Sequence, residues 1–155
     1  MTDYRVISTP LGELLVRGDH GGLTEVRFCD EESVPVNGVK SNPIVERAVE
    51  QLEDYFAGRR SNFDLPLNPS GTEFQKQVWQ QLLSVRYGDT ASYGKIAQAI
   101  GKPTASRAVG AANGRNPIAI IVPCHRVIGA NGTLTGYAGG LKRKQWLLEH
   151  EQNMI

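Results

Sequence analysis

Three short runs rich in β-forming residues open the chain: Tyr4–Ser8, Glu13–Gly18 and Leu23–Phe28. Thr9-Pro10-Leu11-Gly12 and Asp19-His20-Gly21-Gly22 separate them with turn chemistry, so the pattern predicts an antiparallel meander. Asp30–Ser41 follows no period and reads as loop. Val45, Ala48, Val49, Leu52 and Phe56 then recur at helical spacing. Asn42-Pro43 supplies an N-cap and a first-turn proline for that helix, and Gly58 stops it. Ser61–Gly71, with Pro66 and Pro69, reads as a linker between two domains, 1–68 and 69–155.

The second half has helical periods. Thr72 and Gln75 form a capping box, and Phe74, Val78, Leu82 and Trp79 supply an apolar stripe. Tyr87-Gly88-Asp89 breaks that helix. Ser92 caps a short helix over 93–100, closed by Gly101 and the turn Lys102-Pro103. Another follows over 104–113, with Ala105, Ala108, Val109 and Ala112 on one face. Two short helices joined by a tight turn match a helix-turn-helix, although many helical hairpins never touch DNA. The second helix is poor in base-reading side chains. It carries Ala105, Ser106, Ala108, Gly110, Ala111 and Ala112, with Arg107 as its long cation. That pattern suits close approach to a minor groove with a wedge in the base stack, and it equally suits a helix packed tightly in a core.

Composition is that of a soluble globular protein, 40% hydrophobic and 21% charged. No run approaches membrane-spanning length, and the N-terminus lacks the pattern of a secretory signal, so a cytoplasmic protein with free thiols is expected. The net charge of +1 conceals an asymmetry. Residues 1–68 hold 12 acidic and 7 basic side chains (−5), and residues 69–155 hold 4 and 10 (+6). Such a division points toward nucleic acid or toward two solvated faces of opposite sign.

Cys124 is the strongest candidate for chemistry. The apolar run Ile118–Val122 ends at Pro123, which hands over to Cys124-His125-Arg126-Val127. The apolar run reads as an extended segment, which puts the thiol at the edge of a core. Neighbouring donors there would favour thiolate, whereas a cysteine chosen at random is more often structural packing. In an extended segment the Cys124 and His125 side chains point apart, so a bridging water is expected between them. Cys29 reads as packing, Trp79 and Trp146 as core, and His150 as an exposed residue near a helix end. Lys142, Arg143 and Lys144 read as a solvated or phosphate-facing cluster.

Together, Arg107-Ala108-Val109-Gly110, Asn116-Pro117, Pro123-Cys124-His125-Arg126-Val127 and Gly136-Tyr137-Ala138-Gly139-Gly140-Leu141 resemble the O6-alkylguanine-DNA alkyltransferases. The resemblance is specific from Thr72 to Glu151 and general before that. It implies an α+β chain: a ribonuclease H-like N-terminal domain of meander and helix, then a helical domain containing a helix-turn-helix. It implies repair of O6-alkylguanine, and of O4-alkylthymine, by transfer of the alkyl group to the protein itself, once per molecule. Cys124 is then the nucleophile, His125 its base through a water, Glu151 the carboxylate orienting His125, and Asn116 the residue that bonds the turn beneath. Tyr93 would give a proton to the flipped guanine. Cys124 and Val127 would offer carbonyls to its amino group, and Tyr137 and the Ala138 N–H would lie against the base. Ala105, Ser106 and Gly110 would meet DNA, with Arg107 filling the vacated stack. Some relatives carry serine where Ala138 stands, which bears on the tolerance of bulky adducts. Cys29 and His20 do not reproduce the zinc site of other relatives, so neither metal nor cofactor is expected. The partner is duplex DNA, bound through the minor groove without sequence preference. A monomer is the default, with clustering along DNA left open. Two other readings stand beside this one: a module that recognises alkylated bases without transfer, and a thiol hydrolase built on Cys124, His125 and Glu151.

Overall fold

The computed structural model describes residues 3–30 and 42–153. Most of the loop expected over Asp30–Ser41 lies outside the described residues. The chain divides into two compact units, Met1–Ser70 and Gly71–Ile155.

The first unit is a meander of β1 (Asp3–Thr9), β2 (Gly12–Asp19) and β3 (Gly22–Phe28), ordered β1-β2-β3, with helix α1 (Pro43–Phe56) packed on it. Both pairings are antiparallel, with Val6 opposite Leu15 and Val16 opposite Val26. Central strand β2 buries Leu14, Leu15 and Val16 in succession. Asn42 caps α1 by accepting from the Val45 N–H at 2.9 Å, with proline in the first turn. The helix buries Val45, Ala48, Val49, Leu52 and Tyr55. Gly58 then takes a φ of 78°, where a side chain would be strained.

The segment read as a linker is in fact bound to this unit. Leu23 donates to the Pro66 carbonyl and accepts from the Asn68 N–H, at 2.9 and 2.7 Å. The Gln51 side chain closes a pair of hydrogen bonds with the Asp64 backbone. Proline-rich composition signalled irregular backbone correctly but could not show that the backbone groups find partners on β3 and α1.

The second unit contains α2 (Glu73–Leu82), β4 (Ala91–Ser92), α3 (Tyr93–Ala99), α4 (Ser106–Gly114), β5 (Val127–Ile128) and α5 (Leu141–Asn153). The capping box of Thr72 and Gln75 is present at the start of α2. The helix buries Val78, Trp79 and Leu82, and the Trp79 indole N–H donates to the Ala112 carbonyl at 2.8 Å. Helices α3 and α4 pack together as the expected helix-turn-helix, with Ser92 capping α3 and Gly101 (φ 76°) turning the chain.

Two expectations fail here. Ala108 is exposed, and α4 buries Val109, Ala112 and Asn113 instead. Ser106, Ala108, Ala111 and Gly114 therefore face solvent, while Ala112 joins the core as expected. The run Ile118–Val122 is not extended. Its backbone closes in tight turns, with Ile121 N–H bonded to Ala119 O at 2.8 Å and Val122 N–H to Ile118 O at 3.0 Å. An unbroken apolar run reads as a buried strand, but here burial comes from side chains packed around a knot of turns.

Candidate active site

The turn that carries Cys124 contains one strained residue. Ile120 has a φ of 71°, an unfavourable region for a β-branched residue, and it sits at the centre of a three-residue turn. Pro123 (φ −82°, ψ 64°) centres a second three-residue turn, closed by the Cys124 N–H on Val122 O at 2.8 Å. The second turn is relaxed, but the strain at Ile120 costs on the order of 1–3 kcal/mol and persists only where its surroundings fix it. Asn116 supplies much of that fixing. Its amide donates to Val122 O at 2.8 Å and to Ile118 O at 3.3 Å, and accepts from the Ile118 N–H at 3.0 Å.

Cys124–Arg126 forms a single 3₁₀ turn. The thiol is 5% exposed, deeper than the edge-of-core position expected from the sequence. Burial pushes its pKa up, opposed by the Asn116 amide, the Lys144 charge and the N–H groups of Cys124 and His125. His125 is fully buried, and its Nε2 meets Glu151 Oε2 at 2.7 Å. Its Nδ1 is buried with no hydrogen-bond partner. Burial lowers the His125 pKa against the pull of Glu151, so the imidazole is neutral with Nδ1 open as an acceptor.

Arg126 and Lys144 belong to the same site, although sequence reasoning gave the first no role and left the second at the surface. Arg126 grips both Glu151 oxygens, Nε to Oε1 at 2.8 Å and Nη2 to Oε2 at 3.1 Å. It also donates to Val85 O at 2.7 Å, and its guanidinium lies 5.7 Å from the centre of the Tyr87 ring. Burial would raise the Glu151 pKa, but His125 and Arg126 outweigh it and hold the carboxyl at about 2. Lys144 is 0% exposed and donates to Val127 O at 2.5 Å and Thr135 O at 2.7 Å. Burial lowers its pKa, opposed by Cys124. His150 is likewise buried rather than exposed, its ring stacked on Trp146 at 4.7 Å. One signal was present in the sequence. Lys144, Leu147 and Glu151 share one stripe of α5 with an apolar member between two charged ones.

Of the other predicted residues, Tyr93 and Tyr137 come near this turn. Parallel pairing of β4 with β5 sets Ala91 against Val127 and Ser92 against Ile128, which places Tyr93 beside the Cys124 segment. Its hydroxyl lies 2.9 Å from Thr135 Oγ1. A methyl group added to Gly110 would stand 3.8 Å from the Tyr93 ring, so α4 passes close to it. Tyr137 is half-buried, with its hydroxyl enclosed and unpartnered, and burial first, then Cys124, raises its pKa well above the usual value. Ala138 is exposed. The two carbonyls expected to face a base already have partners. Val127 O holds Lys144, and Cys124 O accepts from the Val127 N–H and from Asn113 Nδ2 at 3.3 Å. Arg107, Ser106 and Ala108 are exposed on α4, and Ala105 at its start makes no side-chain cap.

Comparison with known proteins places this arrangement. A family model described as the DNA binding domain of 6-O-methylguanine DNA methyltransferase matches residues 73–153, and one for its ribonuclease-like domain matches residues 3–69. The methylated-DNA–protein-cysteine methyltransferase of Methanosarcina acetivorans is 54% identical over 96% of this chain and 97% of its own. That of Mycolicibacterium paratuberculosis is 53% identical over 98% and 93%. The crystal structure of Mycobacterium tuberculosis O6-methylguanine methyltransferase matches with a TM-score of 0.90 at 50% identity, covering 100% of this chain and 95% of that one. The structure of Mycobacterium tuberculosis OGT in complex with DNA matches with a TM-score of 0.87 at 51% identity, covering 98% and 94%. With a family model on each half and such relatives along nearly its whole length, the chain belongs to the 6-O-methylguanine DNA methyltransferases.

Proposed function

We propose that this protein repairs duplex DNA by direct reversal, taking a methyl or other alkyl group from guanine O6, and from thymine O4, onto Cys124. The observation that carries this reading is the enclosed Cys124 sulfur next to a His125 imidazole fixed on Glu151 at 2.7 Å. That is an activated-nucleophile arrangement, with a base held in one tautomer by a third group. The thiol proton passes through a bridging water to His125 Nδ1, while Nε2–H stays on Glu151. The thiolate sulfur bonds to the alkyl carbon as the carbon–oxygen bond breaks, and the electron pair stays with the base. Tyr93 donates a proton to the guanine ring, which makes it a better leaving group. Burial keeps the resting thiol protonated, so thiolate forms at the moment of transfer. The thioether is stable and has no resolving thiol near it in sequence, so each molecule acts once.

A base inside the helix cannot reach a buried sulfur, and its extrusion costs a few kcal/mol. The exposed small residues of α4 allow close approach to the minor groove, and Arg107 fills the vacated stack. The Ala105 N–H is held by Lys102 O, but α4 has no side-chain cap, so its first-turn N–H groups from Ser106 onward are offered to a phosphate. Val127 O retains a lone pair for the guanine amino group. Cys124 O, with two donors already, accepts that group only by releasing the long bond from Asn113. Tyr137 and the Ala138 N–H lie against the base. Both binding and transfer belong to the domain of residues 69–155. The protein works as a cytoplasmic monomer without cofactor. Among the described residues no helix is long and apolar enough to cross a membrane.

The deciding experiment is the intact mass after mixing with duplex DNA containing O6-methylguanine. A gain of one methyl group, mapped to Cys124, is expected. An unchanged mass, or a methyl on Cys29, overturns the reading.

A further inference from the structure

Asn113 was assigned no role by the reasoning from sequence. It lies in the last turn of α4, is 3% exposed, and donates through Nδ2 to the Cys124 carbonyl at 3.3 Å. Its Oδ1 is buried with no hydrogen-bond partner, and so is His125 Nδ1. The two atoms flank one peptide group: Asn113 bonds its carbonyl oxygen, and His125 is the residue on its nitrogen side. Buried side-chain polar atoms are nearly always satisfied, so these two, which with the Tyr137 hydroxyl surround one reactive thiol, call for a shared explanation. His125 Nδ1 is an acceptor, because Nε2 donates to the Glu151 carboxylate. An amide oxygen is also an acceptor. Two acceptors cannot satisfy each other, but one water can donate to both.

We infer that Asn113 is a positioning residue for thiol activation, its Oδ1 and His125 Nδ1 together orienting the water that takes the Cys124 proton. This rests on the reading of Cys124 and His125 given above. One water hydrogen points to Nδ1 and the other to Oδ1, which leaves the oxygen lone pairs for the thiol. The S–H bond then breaks as a new O–H bond forms. The water gives its other proton to Nδ1, and the electron pair remains on sulfur. Without Oδ1 the water is free to rotate and to present a hydrogen to the sulfur. Asn113 also belongs to the helix that carries Arg107, so the helix proposed to enter DNA is bonded directly to the reactive peptide. The other ionisable groups facing the sulfur are Lys144 on α5, Tyr137 in the preceding loop, and Arg126 and Glu151 around His125. None of these is altered by changing Asn113.

The test titrates the Cys124 thiol in the full chain, by thiolate absorbance against pH and by transfer from O6-benzylguanine, which needs no base extrusion. Asn113→Leu keeps the size and removes both polar atoms. It is expected to move the thiol titration downward, because the freed water then donates to the thiolate, and to slow transfer about five- to tenfold at neutral pH, because the proton's route to His125 loses one neutral hydrogen bond. Asn113→Thr restores a smaller acceptor and should recover part of the rate, and it serves alone if the leucine variant does not fold. The double variant with His125→Ala should be no slower than His125→Ala, because both act through one water. An unchanged titration with only a lowered melting temperature would reduce Asn113 to packing and overturn the inference, as would additive losses in the double variant. If His125→Ala itself leaves the rate unchanged, the relay proposed for His125 fails instead.

Discussion

The two units of the molecule treat charge in opposite ways. In Met1–Ser70 the ion pairs lie at the surface: Arg5–Glu46, Arg47–Asp64 and Arg59–Asp54 leave both side chains partly or largely exposed. Pairs of this kind contribute about 0–1 kcal/mol, because water and salt screen them. In Gly71–Ile155 three charged side chains are inside. Arg126, Lys144 and Glu151 are buried around a neutral His125 and a thiol. Burying an ion costs several kcal/mol unless partners replace its water, and here every charge has at least two. Two buried cations face one buried anion, so the enclosure carries one excess positive charge that a thiolate at Cys124 would cancel. Surface pairs can be lost with little consequence, whereas removing one member of a buried cluster leaves its partners uncompensated.

Substitutions that separate the two regions should show this directly. The largest effect is expected at the sulfur itself. Cys124→Ser should abolish methyl transfer and leave binding to duplex DNA within about twofold, since the thiol makes no phosphate contact. Retained transfer would remove Cys124 from the reaction.

Next come the groups behind the sulfur. His125→Ala and Glu151→Gln should each slow transfer by roughly 10²–10⁴-fold, the range of general-base effects. Because they act in series, the double variant should fall little below the worse single one. Acid should expose the same cluster. The folded-state pKa values of Glu151 and His125 are both depressed. The unfolded chain therefore binds more protons than the folded one once pH drops below the ordinary histidine value. Stability should fall there, and further below the ordinary carboxylate value as pH approaches about 2. Thermal unfolding against pH should show this slope, and Glu151→Gln should flatten its carboxylate part.

The exposed face of α4 should give a smaller and more selective loss. Arg107→Ala should slow transfer from duplex DNA about tenfold or more, and Arg107→Lys less, while reaction with free O6-benzylguanine stays near normal. A guanine set opposite a mismatch should react with a reduced defect. Equal losses on duplex and free base would mean that Arg107 shapes the pocket rather than the extrusion. At the far end of the scale, Glu46→Gln in the first unit should change stability by less than about 0.5 kcal/mol and transfer not at all. A large effect there would break the contrast between the units.

Local chemistry was enough to read most elements from the chain. Asn42-Pro43, Thr72 with Gln75, and Ser92 act within a few residues of themselves, and each cap is formed as its spacing indicates. The meander followed from alternation and turn residues, which also act at short range. Cys124, His125 and Glu151 stood out through motif and resemblance, and the fold brings the last two together across 26 positions. Misreadings arose where one pattern serves two environments. Ile118–Val122 has the composition of a buried strand, yet Asn116 holds it as turns. Small residues suit a core and an open surface equally, and packing of α4 on Val109 and Ala112 put Ala108 outside.

From the chain alone one could read the meander, the starts of α1, α2 and α3, the cysteine to suspect and the family it resembles, because caps, turns and motifs are short-range properties. The short strands β4 and β5, which pair across 36 positions, could not be read that way. Only the tertiary structure decided that Lys144 and His150 are inside, that Arg126 holds Glu151, and that Asn113 reaches the Cys124 carbonyl. A charged side chain reads as exposed from sequence because burying it alone is so costly. What makes its burial possible is a partner 25 residues away, as for Arg126 and Glu151, or a pair of carbonyls on other segments, as for Lys144.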